Sequence, residues 1–410
     1  MFRLLKEKNF RLLWLGQLCS QFGDRLIQMI LVALVATRSA GSTLSLAKVM
    51  AITSLPALLL NPFAGVYVDR WDRKNTMIAC DLIRAMGIVL FPWLILSHGG
   101  VPLYLGVFVV FAVATFFIPA RLAMIPDLVA SKDLARANAL FTSSGMAGSA
   151  VILLAGALLV EWVGVAKSCW VNAASYVASA LFILPVVPNR RHRKKAAHSV
   201  GLILREIVEG IEELWRRPTT RRAAGLVGLL TIGAGASFVA GTVLVQRVLG
   251  TVTKDLGFLS LWSGVGMLFG ALAYGRWGTH RPRSFVLGLS FLGCGVSVWL
   301  FLWSVLGFKS GVAASAAAGL LGFWIGPVGI VANVLVHEGH PERLHGRIFS
   351  SMGVVVNLSL IVSMLAGGWL ADRWGCASLL LAVGGVFASS GFLLLCYTKR
   401  RFTPSKENFP

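Results

Sequence analysis

Twelve stretches of mostly apolar residues partition this chain: 10–36, 44–68, 75–97, 101–123, 138–161, 165–187, 222–247, 255–275, 284–306, 311–336, 348–371 and 376–397. Each is long enough to cross a bilayer as a helix, which takes about 20 residues. In hydrocarbon every backbone N–H and C=O must be bonded within the protein, so such stretches resolve to helices. Composition excludes a soluble alternative. Of 410 residues only 13% are charged and 56% are hydrophobic, whereas soluble domains carry about 25% charge. The 44 glycines, 14 prolines and 13 tryptophans suit membrane helices, which tolerate the first two and anchor at the interface with the third. The first stretch is too long, and too polar at its middle, for a cleavable signal. The expectation is an all-α membrane protein of twelve transmembrane helices in two six-helix, pseudo-symmetric halves. The halves are 1–187 and 222–397, with a linker at 188–221 and a tail at 398–410.

The net charge of +21 would point to nucleic acid in a soluble protein. Here 29 of the 38 Lys and Arg fall at the N-terminus, in the even-numbered connections and in the tail; seven fall on the other side, and Arg25 and Arg84 lie within helices. Loops facing the cytoplasm collect Lys and Arg, so both termini and the linker are expected inside a bacterial plasma membrane, with no nucleic-acid partner. The linker opens with Arg190, Arg191, Arg193, Lys194 and Lys195. It continues with Ile203, Leu204, Ile207, Val208, Ile211, Leu214 and Trp215 on one helical face, which predicts an amphipathic helix lying on the membrane surface. The six cysteines show no C-x-x-C spacing and read as small buried residues.

The halves repeat. Phe141-Thr-Ser143-Ser-Gly145 matches Phe349-Ser-Ser351-Met-Gly353, and Pro119 matches Pro327, both at an offset of 208; Arg70-Trp71 matches Arg276-Trp277 at 206. Landmarks at nearly one spacing indicate duplicated six-helix units related by an axis along the membrane normal.

Two polar constellations stand out. In the first stretch Gln17, Gln21, Asp24 and Gln28 are spaced 4, 3 and 4, which places them on one helical face. A polar stripe in mid-bilayer is expected to border a water-filled cavity, and an intramembrane acid is a candidate proton or cation site. Asp24 takes that role here, with Arg25 beside it. The bland alternative is a structural Asp–Arg pair tying this helix to its neighbours. Asn333 and Asn357 are further candidates for lining the cavity, although Asn is as often glue between helices. The second constellation is Gly65-Val-Tyr-Val-Asp69-Arg70-Trp71-Asp72-Arg73-Lys74, followed by Asp81 and Arg84. It packs both signs of charge into one turn after a glycine that lets two helices close up. Acids do little for orientation, so Asp69 and Asp81 need another purpose.

Catalytic chemistry finds no purchase. His337-Glu-Gly-His340 is not H-E-x-x-H, and the sequence has no Walker A, nucleophile elbow or paired carboxylates. The expectation is a non-enzyme without cofactor or metal.

Gly65-x-x-x-Asp69-Arg70-x-x-Arg73-Lys74 with Asp81 resembles motif A of the major facilitator superfamily. Phe117-x-Pro119-Ala120, Arg136-Ala-Asn138-Ala-Leu140, His345-Gly-Arg347-Ile-Phe349-Ser350 and Leu370-Ala-Asp372-Arg373-Trp374-Gly375 resemble its macrolide-efflux branch. Siderophore exporters and lysophospholipid transporters look related, the latter sharing Phe22-Gly23-Asp24. The resemblance implies a monomeric exporter of an amphipathic, macrolide-like molecule, driven by the proton gradient across the lipid bilayer. It also implies a gating role for Gly65, Asp69, Arg70, Arg73, Lys74, Asp81 and Arg84. Asp69 would accept hydrogen bonds from the start of the eleventh helix, around 347–350, supported by Arg70, Arg73 and Asp81. The fifth stretch lacks the Gly-Pro of many antiporters, which favours the alternative of a lysophospholipid facilitator working without antiport. A third reading, a non-transporting receptor or scaffold, has no use for a polar stripe at mid-bilayer.

Overall fold

The computed structural model describes residues 2–39, 41–96, 100–188, 200–216, 218–339 and 342–401. Twelve α-helices account for nearly all of them: α1 (Lys8–Arg38), α2 (Thr43–Arg70), α3 (Arg73–Leu96), α4 (Gly100–Met124), α5 (Leu134–Ile183), α6 (Val200–Arg216), α7 (Pro218–Leu249), α8 (Lys254–Trp277), α9 (Arg283–Leu306), α10 (Gly311–Gly339), α11 (Glu342–Trp374) and α12 (Cys376–Arg401). Among the described residues eleven helices are long and apolar enough to cross a membrane; α6 is the exception.

The fifth and sixth expected spans are one element, α5, folded back on itself. Gln21 donates to Gly145 O at 2.8 Å, and Asn172 donates to Gly23 O at 3.2 Å. Residues 145 and 172 would stand about 40 Å apart on a straight helix, yet both meet neighbouring residues of α1. The reversal occurs at Gly164, whose φ of 81° and ψ of 169° belong to a region that side-chain-bearing residues avoid. Counting α5 as two crossings restores the expected twelve.

α1 is buried on all sides from Leu26 to Val35 except for Gln28, which is why its C-terminal half is apolar without period. The halves meet where α2 packs on α11 and α5 on α8. The connections at 69–74, 121–136 and 276–283, together with α6, form one end of the bundle, here named the basic face.

The linker departs from expectation. Residues 189–199 lie outside the described residues. α6 packs against α11, and Leu214 is buried with Val336 and Ile348 while Val208 and Trp215 stay exposed. A helix spread flat on lipid would turn Leu214 and Trp215 to the same medium; here part of its apolar face is taken up by the C-terminal half.

Candidate functional site

α1, α3 and the second limb of α5 converge on Arg84. Its side chain is 1% exposed, and each of its three nitrogens donates. Nη1 donates to Asp24 Oδ1 at 2.7 Å, Nη2 to Ser20 Oγ at 2.9 Å and to Asp81 Oδ1, and Nε to Cys80 O at 3.3 Å. Tyr176 covers one side of the guanidinium at 4.4 Å, and the Phe117 ring lies 5.0 Å away. Tyr176 also donates to Asp24 Oδ1 at 2.9 Å. Asp81 is fully buried and accepts from Ser20 at 3.1 Å and Ser179 at 2.6 Å. A buried charge is tolerable only when paired and hydrogen-bonded, and this network meets both conditions. Asp24 differs from Asp81 in one respect: its side chain is 43% exposed.

That exposure opens into a cavity of about 520 Å³ between α1, α4 and the first limb of α5. Gln17, Gln21, Asp24, Arg25 and Gln28 line it from α1, so the stripe faces one space. Arg25 turns away from Asp24 and donates to Gln28 Oε1 at 3.3 Å and Ser149 Oγ at 3.2 Å. The partner of Asp24 is therefore Arg84, sixty residues away, and not its neighbour in sequence. Asn333 and Asn357 border neither this cavity nor the apolar one described below. Asn333 is exposed, and Asn357 gives its amide hydrogen back to Gly353 O on its own helix at 2.8 Å.

The charged turn is divided. Arg73 donates to Asp127 at 2.6 Å and to Ala123 O at 2.9 Å, tying α3 to the end of α4. It does not support Asp81, which stands eight residues on, about 12 Å deeper along α3. Asp81 and Arg84 thus belong with Asp24, behind the cavity, and not with the charged turn. Asp72 starts α3 by accepting from Asn75 N at 2.9 Å. Among the described residues a methyl group at Gly65 would meet nothing within 4 Å, so close approach to any of them is not what this glycine supplies. Arg70 is exposed and Lys74 half-buried. The side chain of Asp69, and those of 347 and 349 in the segment 347–350 expected to meet it, lie outside the residues whose side chains are described. Also on the basic face, Glu338 lies outside the spans and accepts a forked pair from Arg283 at 2.6 and 2.7 Å; this bonding holds its carboxyl below the usual range.

At the opposite face the halves are joined twice in the same way. Asp372, at the end of α11, accepts from Thr43 N at 2.7 Å, Leu44 N at 3.1 Å and Ser42 Oγ at 3.2 Å, capping α2. Glu161, on α5, accepts from Thr253 N at 2.6 Å, Lys254 N at 3.1 Å, Val252 N at 3.2 Å and Thr253 Oγ1 at 3.1 Å, capping α8. Asp372 stands 211 residues after Glu161, and Thr253 stands 211 after Ser42. Each half lends a carboxylate to a helix N-terminus of the other, where free N–H groups and the positive dipole end receive it. Arg247 adds a bond to Gly41 O. Sequence reasoning noted Asp372 only as part of a motif and passed over Glu161, Tyr176, Ser20 and Ser179.

The architecture is shared with known transporters. A nucleoside transporter, NupG, superposes with a TM-score of 0.75 at 12% identity, covering 95% of this chain and 99% of that one, which shows the fold. Macrolide efflux protein A of Streptococcus pyogenes is 27% identical over 410 residues, 95% of this chain and 94% of that protein. The multidrug efflux pump Tap of Mycolicibacterium fortuitum is 25% identical over 353 residues, 84% of each. The sequence profile of the Major Facilitator Superfamily matches residues 13–363, and with the two six-helix halves in place the chain belongs to that superfamily.

Proposed function

We propose that this transporter exports an amphipathic small molecule by alternating access and exchanges it for protons at Asp24. The observation that carries the reading is the sharing of one buried guanidinium, Arg84, between a water-accessible carboxylate and a buried one. With Asp24 ionised the three groups sum to one negative charge. When Asp24 takes a proton, Arg84 keeps Asp81 as its counter-ion and the cluster becomes neutral. No buried charge is orphaned in either state, so the proton can come and go without the several kcal/mol that an unpaired ion would cost. A lone Asp–Arg pair lacks this property.

The basic face is assigned to the cytoplasm by its Lys and Arg, so the Asp372 and Glu161 caps close the outer face. Substrate then enters the cavity from inside and leaves when those caps release and the halves rock. The names of the relatives support efflux. Passage of a lysophospholipid without antiport is the second reading, favoured by the arginines that border the cavity.

The test is efflux of a fluorescent dye or a macrolide from vesicles holding the purified protein, with and without a proton gradient, for the native chain and Asp24→Asn. Gradient-driven efflux that Asp24→Asn makes insensitive to the gradient is the expected result. Efflux indifferent to both would refute antiport and leave the facilitator reading.

A further inference from the structure

The cavity beside Asp24 holds cationic donors that nothing among the described residues consumes. Among these residues Arg121 makes no hydrogen bond; its one close partner is the face of Phe141 at 5.5 Å, and its buried Nε is unpartnered. Arg25 spends Nη1 and Nη2 on neutral oxygens, and its buried Nε is likewise unpartnered. Among the described residues neither arginine meets a carboxylate. The acids are already committed, since Asp24 and Asp81 share Arg84. Lining this cavity are two guanidiniums, Arg25 and Arg121, against one carboxylate, Asp24, which is already paired with Arg84. The unpartnered Oε1 atoms of Gln17 and Gln21 add acceptors beside them. Unsatisfied buried donors are costly, and a guanidinium is shaped to receive a carboxylate or phosphate.

Next along α1 the chemistry changes within one residue. Gln28 lines the polar cavity, whereas Met29 and Val32 line an apolar pocket of about 390 Å³ closed by Phe238, Leu259, Phe301 and Phe387. We propose, resting on the transport reading above, that the substrate is an amphiphile with an anionic head, carboxylate or phosphate, held by Arg25 and Arg121, and an apolar body in this second pocket. The two arginines sit at different depths. Arg121 lies over Phe141 and Arg25 at Ser149, eight residues apart on α5, or about 12 Å. Arg121, nearer the basic face, meets the head on entry; Arg25 seats it.

The experiment measures binding to the full-length protein in phosphatidylcholine nanodiscs with no gradient, so it is independent of coupling. Dodecyl phosphate, dodecanoate and dodecyltrimethylammonium share one tail and differ in the head. The two anions are expected to bind about tenfold or more tightly than the cation, the scale of one charge-assisted hydrogen bond. Arg25→Gln weakens dodecyl phosphate about tenfold by faster dissociation, and Arg25→Lys restores part of it. Arg121→Gln slows association. Nanodiscs containing phosphatidylglycerol compete if the natural source of the head is lipid and do not if it is a soluble amphiphile; inorganic phosphate alone binds weakly in either case. Equal binding of cation and anion, or arginine variants indistinguishable from the native chain, would overturn the proposal while leaving the efflux test untouched. Head-group selectivity without gradient-driven efflux would refute antiport and leave this assignment standing.

Discussion

Removing both carboxylate caps should open the face opposite the basic loops. Asp372 and Glu161 together accept seven hydrogen bonds from the starts of α2 and α8. Loss of a capping side chain costs about 0.5–2 kcal/mol, and the helix dipole adds about 0.3–1 kcal/mol to an exposed carboxylate. Asp372 is exposed and Ser42 still caps Ser45 N at 3.2 Å, so about 1 kcal/mol is the fitting figure for Asp372→Ala. Glu161 is only half-buried but makes four bonds, and Glu161→Ala is placed at about 1–2 kcal/mol. The sites are on different helix pairs and should add. The double variant then moves the closed-to-open ratio by about 2–3 kcal/mol, some thirtyfold to 150-fold. The assay is a spin-label distance between Trp162→Cys and Val312→Cys, which are 75% and 84% exposed and stand in different halves, with Cys19 and Cys396 replaced by serine. Each single variant should show a minor long-distance population and the double variant a major one. A double variant whose distances match those of the uncapped-free parent, the labelled protein with both acids intact, would refute the view that these caps hold the face shut.

Three further outcomes follow from the same geometry. Arg84→Gln leaves Asp81 buried without a cation and should cost about 3–5 kcal/mol, read as a large fall in thermal stability in detergent; Asp24→Asn, which leaves Arg84 paired with Asp81, should cost far less. A methyl at Gly270 would stand 1.9 Å from Phe323 O, and one at Gly322 would stand 2.0 Å from Ser263 O. Either glycine to alanine should therefore part α8 from α10 and lower the melting temperature, while Gly65→Ala, with open space around it, should not. Gly164→Ala forces a side chain into a conformation that only glycine adopts readily, a strain of about 1–3 kcal/mol, detectable as a smaller loss of stability than at Gly270.

The fold was legible because lipid imposes a single rule of length and apolarity on every crossing. Even so, the boundary between the fifth and sixth crossings rested on one glycine that keeps the backbone hydrogen-bonded through its turn. The stripe from Gln17 to Gln28 was legible because all four residues sit on one helix and obey its period. Its partners were not. Asp81 and Arg84 follow the charged turn in sequence and were grouped with it, yet the rise of α3 carries Arg84 about 16 Å away from Arg73, to the level of Asp24. Their spacing of three residues, which sets side chains on one face, was the hint that they form a pair. Tyr176 and Ser179 come from the other limb of α5 and carry no local signal. The caps lie beyond any local reading too, since Asp372 and Thr43 are 329 residues apart.

The strength of the caps bears on how such a protein can cycle. Moving an equilibrium from 1:99 to 99:1 takes about 5.5 kcal/mol of differential binding. Two solvent-reachable caps worth about 2–3 kcal/mol together favour one state without trapping it. Their donors regain water when the halves part, which a buried pair such as Arg84–Asp81 could not do. The placement is consistent with this: the buried Arg84 bonds to Asp81 on its own helix and to Asp24 of α1, inside one half where nothing need separate, and the contacts between halves are made by carboxylates at helix ends. Because the two caps are related by the internal repeat, neither α2–α11 nor α5–α8 can act as a hinge that the other lock spares. In the alternating-access cycle proposed above, opening the face would have to release both, and occupancy of the cavity between α1, α4 and α5 would supply the difference in free energy that decides when.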